Sequence, residues 1–536
     1  MAEEKVEKGN FKLQLKVKDL KKVHERYSAN VKEWRFTMAL YEGIRAVIRA
    51  GLVKQHEREP DLTYERRIKE LYGFGYTKSV VEIFQHHLFK KSPQGRKLDT
   101  LQDDEVWKMY VKDADLYGND YESTMMELAL YAGVEGHMGV LIDKASIEEG
   151  ASRQQQIEKR VHPYIAKFYP PAILDWVFSR DEYNRPYLSF LKLLDDSQTN
   201  NQYIFWSPES WEVWELPKDD DGKDDDSNVE QDAVFIKANV NPIGEIPFVW
   251  HYNFKTRHVG IGSGDVHEVA RIDLSIIRNL SQIEQIINFA AFPMMRKPMR
   301  DASPTEISAP QQDDEVGSEV ILEFDPEHPE SKPDWLEAKV KEPVEATWQV
   351  IIGKVAELYR AANIGGMAST EPTKAPQSGV AKRVDFQLLA SKLVSKAINL
   401  ENTENKMLEF WLKWEQMWDK YKDKVKMSRS KDFDIEDLAT DLDNALTAQT
   451  VVMSKKFKEL VQKQTARSAL PSATEKELQQ IDEEIETSVE TGPAEDTVEK
   501  DSKFSQEDKG IIDSGGKANE IITDETDEGG GEGGEQ

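Results

Sequence analysis

"GGMASTEPTKAPQSG", Gly365 to Gly379, holds three glycines, two prolines and four serines or threonines in fifteen positions. Composition of that kind marks an irregular, flexible connection. Its flanks read very differently. Upstream, Val344, Trp348, Ile351, Val355, Leu358 and Ala362 recur at steps of four and three, the period of a helix with one apolar face. Pro343 suits the first turn of that helix, and Gly365-Gly366 suits its end. Downstream, Phe386, Leu389, Leu393, Ala397 and Leu400 repeat the spacing, followed by Met407, Trp411, Trp414, Trp418, Tyr421 and Val425. The pattern predicts a second helix from near Val380 to about residue 430, far longer than a typical globular helix. A connection of linker composition therefore separates two long amphipathic helices.

Working outward, "GIGSGDVHEVARIDLSIIRNLSQIEQIINFAAFP" opens with an Asp265-x-x-Glu268 capping pattern. Val269, Ile272, Ile276, Leu280, Ile283, Ile287 and Ala290 then form one apolar stripe, and Pro293 ends it. Arg271, Asp273, Arg278 and Glu284 fall largely off the stripe. Between this helix (263–291) and the one opening at Pro343 lies a proline-rich module of about 50 residues (292–342), in which "SEVILEF" and "DWLEA" read as short strands.

Further towards the N-terminus, residues 1–26 are charged and weakly patterned, which predicts a flexible segment, and helical signals begin near Tyr27. Two helical blocks follow, "YERRIKELYGFGYTKSVVEIFQHHLF" with a break at Gly73–Gly75, and Ser123 to Leu130. The second passes into "GHMGVLIDK", where Gly136 and Gly139 break the helix and Val140 to Ile142 reads as a buried strand. From Val161 to Asn253 the period becomes that of strands. "NQYIFWSPESWEVWELP" predicts a hairpin, and "AVFIKANV" and "IPFVWHYN" predict further strands. Beyond the long helix, Asp434 to Leu470 reads as one or two more helices. The fold class is α+β, mainly helical.

The chain has 536 residues, no cysteine and a formal charge of −29. Without cysteine there are no disulfides, thiolate metal sites or cysteine nucleophiles. From Thr474 to Gln536, 21 acidic residues face 5 basic ones, a balance of −16 that leaves −13 for the remainder. That tail (474–536), ending Gly529-Gly-Gly-Glu-Gly-Gly-Glu535, is expected to be disordered. No apolar run approaches the roughly 18 residues of a membrane span, and Met1-Ala-Glu-Glu-Lys5 lacks the apolar core of a secretory signal. A cytosolic origin fits. An acidic body argues against tight, nonspecific nucleic-acid binding, which needs Lys and Arg to displace counterions.

Chemical motifs are scarce. Gly260, Gly262 and Gly264 make a G-x-G-x-G that departs from the dinucleotide fingerprint and reads as a turn before a capped helix. The chain holds no Walker A, H-E-x-x-H or G-x-S-x-G sequence. In "KDDDGKDDDSN" (Lys218–Asn228), a calcium loop centred on Gly222 would put Pro217 first and Asn228 twelfth, where carboxylates are required, so it reads as solvated. His86-His87, adjacent on a helix, point in different directions and form no ligand face. No catalytic residue, metal or cofactor is expected. The charges that stand out are Lys374 inside the opening stretch and Lys382 and Arg383 just after it. In one chain they are a weak phosphate site; in a symmetric ring they would become a belt.

The order of pieces resembles the portal proteins of tailed bacteriophages: a long helix, a small mixed module, a second long helix, a Gly/Pro-rich loop, then a very long helix. "YERRIKELYGFGYTKSVVEIFQHHLFKKSP" resembles the family's N-terminal helices. "NPIGEIPFVWHYN" with "GIGSGDVHEVARIDLSIIRNL" resembles its passage from wing strands into the first stem helix, and "GGMASTEPTKAPQSGVAKRVDFQLL" its tunnel loop. The resemblance covers roughly Tyr27 to Leu470 and implies a wing (27–262), stem helices (263–291 and 343–364) and a clip (292–342). It further implies a tunnel loop (365–379), a long wing helix (380–430) and crown helices (431–473), with no role for the acidic tail. It implies a non-enzymatic, dodecameric virion ring at the capsid's portal vertex, assembled in the bacterial cytoplasm. Double-stranded DNA would pass through without sequence-specific contact. The partners implied are the terminase large subunit, major capsid and scaffolding proteins, and head-completion or adaptor proteins, with no membrane. Gly365, Gly366 and Gly379 would be hinges, Pro372 and Pro376 would limit collapse of the loop, and Thr370, Lys374, Lys382 and Arg383 would face DNA. A structural scaffold or adaptor without a DNA channel, and a magnesium-dependent nuclease built from Asp and Glu, remain the alternatives.

Overall fold

The computed structural model describes residues 14–57, 59–90, 96–145, 152–196, 201–218, 228–291, 294–296, 334–336, 340–364, 379–433 and 475–491, with 459, 462, 463 and 466. The chain is α+β and divides into two units, Met1–Ile435 and Glu436–Gln536.

In the first unit a short helix, α1 (Val17–Lys21), buries Val17 and Leu20 completely. The flexible segment expected over 1–26 is therefore folded where it is described, from residue 14 onward. Lys192, in a strand far along the chain, donates to the carbonyl oxygens of Asp19, Leu20 and Lys22. Burial pushes its ammonium down to about 8. The three carbonyls replace the water that a buried cation loses.

Next come α2 (Glu25–Glu42), α3 (Ile44–Arg49), α4 (Asp61–Lys69), α5 (Tyr76–Phe89), α6 (Glu105–Lys112) and α7 (Tyr121–Glu135). Gly75 is left-handed, φ 67°, and opens α5. Gly136, φ 98°, closes α7. Strand β1 (His137–Asp143) follows at once, and Gly139 lies inside it rather than breaking a helix. A side chain at Gly139 would come within 2.4 Å of the Phe248 ring.

After α8 (Arg153–Glu158), β2 (Tyr164–Phe168) pairs with one edge of β1. Then β3 (Ile173–Arg180), β4 (Pro186–Asp195), β5 (Gln202–Trp206), β6 (Ser210–Glu215) and β7 (Val234–Val240) form an antiparallel sheet in sequence order. The hairpin anticipated around Ser207-Pro208 is β5–β6, closed by Trp206 opposite Trp211. Strand β8 (Phe248–Tyr252) leaves that sheet and pairs with the other edge of β1. Of the Lys218–Asn228 stretch, 219–227 lie outside the described residues.

A two-residue ladder, β9 (Phe254–Lys255) with β10 (Gly262–Ser263), leads into α9 (His267–Ala291). The glycines of this turn have a packing reason. An added Cβ at Gly262 would sit 2.0 Å from the Gly136 carbonyl oxygen, and one at Gly264 would sit 2.8 Å from that of Val134. The loop backbone thus lies directly against the end of α7.

Beyond α9, β11 (Met294–Arg296) pairs antiparallel with β12 (Asp334–Leu336). "SEVILEF" lies outside the described residues. Then come α10 (Lys341–Ala362) and α11 (Gly379–Trp414). The helix expected over 380–430 stops at Trp414. Gln416 takes a left-handed φ of 55°, and only one further turn, α12 (Trp418–Tyr421), follows.

The main core joins α5, α6, α7, β1, one face of α9, α10 and α11, with Phe84, Tyr110 and Trp411 at most 1% exposed. Burial of each large side chain contributes roughly 1.5–3 kcal/mol. In the second unit α13 (Glu475–Thr491) is helical within the tail expected to be disordered, and its Glu486 pairs with Lys463 at 2.5 Å. Most of the anticipated crown, and residues 492–536, lie outside the described residues.

Candidate functional site

The site is built on the pairing of α9 with α10. The helices run antiparallel in near-constant register. Lys354 donates to Ser275 at 2.7 Å mid-pair. Ala361 and Val269 line one cavity at one end. Met294 pairs with Leu336 just past the other. With 25 and 22 residues, the helices are about 37 and 33 Å long.

In sequence, residues 297–333 connect β11 to β12 at one end of this pair, and residues 365–378 connect α10 to α11 at the other; both lie outside the described residues. One face of the pair is open to solvent: Ile287 is 43% exposed, Trp348 43%, Val350 51% and Ile352 40%. On the opposite face of α10, Ile351, Val355, Leu358 and Ala362 are buried.

Helix α9 departs from its one-stripe reading. Val269, Ile276, Leu280 and Ile283 face the main core, as expected. Ala270, Leu274 and Ile277 form a second buried face against Leu40, Val47, Val53 and Leu71. Asp273, expected off the stripe, is 1% exposed. Its Oδ2 accepts from the Thr77 amide at 2.9 Å and the Thr77 hydroxyl at 2.7 Å, so α9 caps the start of α5. Burial holds its carboxyl above the ordinary range, against the two bonds that pull it down. Replacing Asp273 by alanine leaves both Thr77 donors unpaired. It is expected to cost about 1–3 kcal/mol, read as a lower denaturant midpoint at unchanged slope.

Asp265 also differs from its expected capping role. Its Oδ2 takes Lys396 of α11 at 2.5 Å, with both side chains buried, and its Oδ1 has no hydrogen-bond partner. Lys396 also lies 4.7 Å from the Phe84 ring centroid.

At the base of 365–378, α10 ends at Ala362, two residues short of the glycines expected to close it. Asn363 takes the left-handed conformation, φ 61°, and the Ile364 amide reaches back to the Tyr359 carbonyl at 3.0 Å. Ile364 is 2% exposed and pins this end. Lys392 donates to the Ala362 carbonyl at 3.4 Å. Lys392 stands thirteen positions along α11 from Gly379, about 20 Å of helix.

Of the residues singled out in the sequence, Gly379 is the first of α11, and Lys382 and Arg383 lie within its first two turns. Gly365, Gly366, Thr370, Pro372, Lys374 and Pro376 lie outside the described residues. Lys392 and Lys396 continue the run of cations along α11. Sequence reasoning missed them because a lysine between apolar residues looks solvated, whereas these two are held by a helix end and a buried carboxylate.

Among solved structures, the chain is similar to one described as the neck of a native GTA particle computed with C12 symmetry. The identity is 10%, 72% of this chain and 89% of that chain are covered, and the TM-score is 0.38. It is also similar to one described as the neck of an empty GTA particle computed with C6 symmetry, at 11% identity over 76% of this chain and 95% of that chain, with a TM-score of 0.42. No protein-family model and no curated protein matches the chain.

Among the described residues no three acidic or histidine side chains are placed to hold a metal ion. No described helix is long and apolar enough to cross a membrane.

Proposed function

We propose that the chain is a portal-type subunit, a non-enzymatic building block of a ring at the vertex of a phage-like particle. One observation carries this reading: α9 and α10 form an antiparallel pair joined at one end by the β11–β12 ladder, and a 36-residue helix follows α10 in the chain. That is the order of stem, clip, tunnel loop and long wing helix implied by the sequence resemblance. In a ring of such subunits, with twelve the expected number, the helix pairs would surround a channel. Residues 292–342 would meet the terminase large subunit and later head-completion or adaptor proteins. The wing and crown would face the capsid and its scaffolding. Residues 365–379 would face double-stranded DNA.

The charge pattern supports passage rather than grip. A body of net −13 outside the tail repels a polyanion, and each added Lys–phosphate contact would resist sliding. Lys374, Lys382 and Arg383, repeated around an axis, would give one weak, sequence-independent belt.

Electron microscopy of the purified chain tests the reading, with closed rings around a central channel as the expected result. A chain that stays monomeric under assembly conditions and forms no ring in particles overturns it. Rings with a closed centre would favour an adaptor without a channel, and magnesium-dependent DNA cleavage lost on a single carboxylate substitution would favour a nuclease.

A further inference from the structure

The five-stranded sheet ends at β7, and among the described residues no strand pairs with the outer side of β7. Its apolar residues lie open there: Val234 is 42% exposed, Phe235 44% and Ile236 40%. An uncovered apolar edge is a template for another extended chain.

The start of a cover is already in place. Just before β7, Gln231–Ala233 pair with the segment that leads into α1. The Val17 amide donates to the Gln231 carbonyl at 3.0 Å, and the Ala233 amide donates to the Leu15 carbonyl at 2.9 Å. Lys16 stands opposite Asp232 in an antiparallel bridge. Lys16 and Lys18 hold Glu230 at 2.8 and 2.9 Å. Leu15, Val17 and Ala233 pack together with Phe205, Trp214 and Leu216. The described residues begin one position before Leu15, at Gln14.

Register fixes what comes next. Leu15 opposite Ala233 puts Gln14 opposite Val234 and Leu13 opposite Phe235. The Ala233 amide faces outward to Leu15, and alternation along the strand turns the Phe235 amide the same way. Directly opposed side chains share one face of a sheet. Phe235 meets Trp214 edge to face at 5.2 Å between ring centroids, so it lies on the face that Leu15 and Ala233 share. Leu13 would close over its open flank. The sequence carries the matching period. Phe11, Leu13, Leu15 and Val17 alternate with Lys12, Gln14 and Lys16, after the turn-forming pair Gly9-Asn10. Lys12 would fall on the other face beside Ile236, its stem covering apolar surface and its ammonium in water.

We propose that residues 11–14 of this chain dock as a sixth strand on the outer edge of β7, antiparallel to it, with Leu13 opposite Phe235. The sheet then ends in a strand carrying Lys12 and Lys16, which resists pairing with further chains. The occupant is the chain's own segment because Val17 and Leu20 of α1 are fully buried, which delivers Leu13 to the β7 of the same molecule. The proposal stands whether or not the chain forms a ring.

The chain has no cysteine, so a pair of introduced cysteines reads the register directly. Opposed Cα atoms of a hydrogen-bonded pair lie about 5.5 Å apart, within the span of a disulfide. In the full chain, Leu13→Cys with Phe235→Cys is expected to oxidise within one molecule, seen as loss of free thiol with no linked dimer on a non-reducing gel. Lys12→Cys with Phe235→Cys, on opposite faces, should stay reduced under the same conditions. Hydrogen exchange gives a second measurement without cysteines. The Phe235 amide should exchange about tenfold faster in a variant lacking residues 2–13 than in the full chain. The Ala233 amide, still bonded to Leu15, should be unchanged and report a folded sheet. A disulfide that links two molecules assigns the edge to a second copy and overturns the proposal. Equal oxidation of both cysteine pairs, or Phe235 exchange that the truncation leaves unchanged, overturns it as well.

Discussion

Replacing Glu404 by leucine is expected to lower the stability of the first unit by about 3 kcal/mol, because it leaves buried Arg429 with only the more exposed Glu122, at 3.0 Å, as counter-charge. Glu404 lies in α11 with its side chain fully buried, and Arg429 opposite it is 4% exposed. Arg429 donates to Glu404 through Nε and Nη2, both at 2.8 Å, a two-pronged contact. Arg96 and the Tyr121 hydroxyl add bonds to the same carboxylate at 3.1 and 3.2 Å. One carboxylate thus ties α11 to the start of α7, to the loop before α6 and to the segment after α12. Denaturant unfolding followed by tryptophan fluorescence would measure the loss. The double change Glu404→Leu, Arg429→Met should lose less than Glu404→Leu alone, since it removes the stranded charge with its partner. A double variant as unstable as the sum of the singles would mean that the pair is not coupled.

That network also shows where sequence reading stopped. Val269, Ile276, Leu280 and Ile283 were legible as a buried face because the helical period repeats over enough turns to stand out. The second face of α9, Ala270, Leu274 and Ile277, was not. It shares its side of the helix with Asp273, and a carboxylate on a helix is normally solvated. Only Thr77, 196 positions away, makes its burial tolerable. Lys192 hid in the same way, since the three carbonyls that hold it belong to α1 and the residue that follows it. The end of α11 carried no warning either. Gln416 adopts a left-handed turn with no glycine or proline nearby, while Trp418 and Tyr421 keep the apolar spacing going. The glycines of "GIGSGD" were read as a turn, but their packing depends on Gly136, which only the fold brings within reach. Local period and punctuation were thus visible from the residues. Long-range pairing of polar groups was not, because either partner alone looks like surface.

Deleting Thr370 to Gln377 is expected to abolish DNA packaging or retention while leaving ring assembly intact. The separation of effects follows from where the anchors lie. On one side Asn363 and Ile364 close α10 by backbone bonds to Tyr359 and Arg360, and Ile364 is buried. On the other, α11 is held through Leu389, Leu393, Lys396 and Ala397, well past Gly379. The eight deleted residues lie between these anchors and include neither. Fourteen residues connect Ile364 to Gly379, and six would remain, enough to span at most about 25 Å. Some strain at Gly379 and the first turn of α11 is therefore expected, and a companion variant avoids it. Lys374→Ala, Lys382→Ala and Arg383→Ala together keep the chain length and remove the proposed belt of positive charge. Rings of both variants would be counted by electron microscopy, and packaged DNA would be measured as nuclease-protected genome per particle. Loss in both variants supports contact between this segment and the passing duplex. Loss in the deletion alone assigns the segment a mechanical role that does not need its charge. Normal packaging in both removes residues 365–379 from the DNA path altogether.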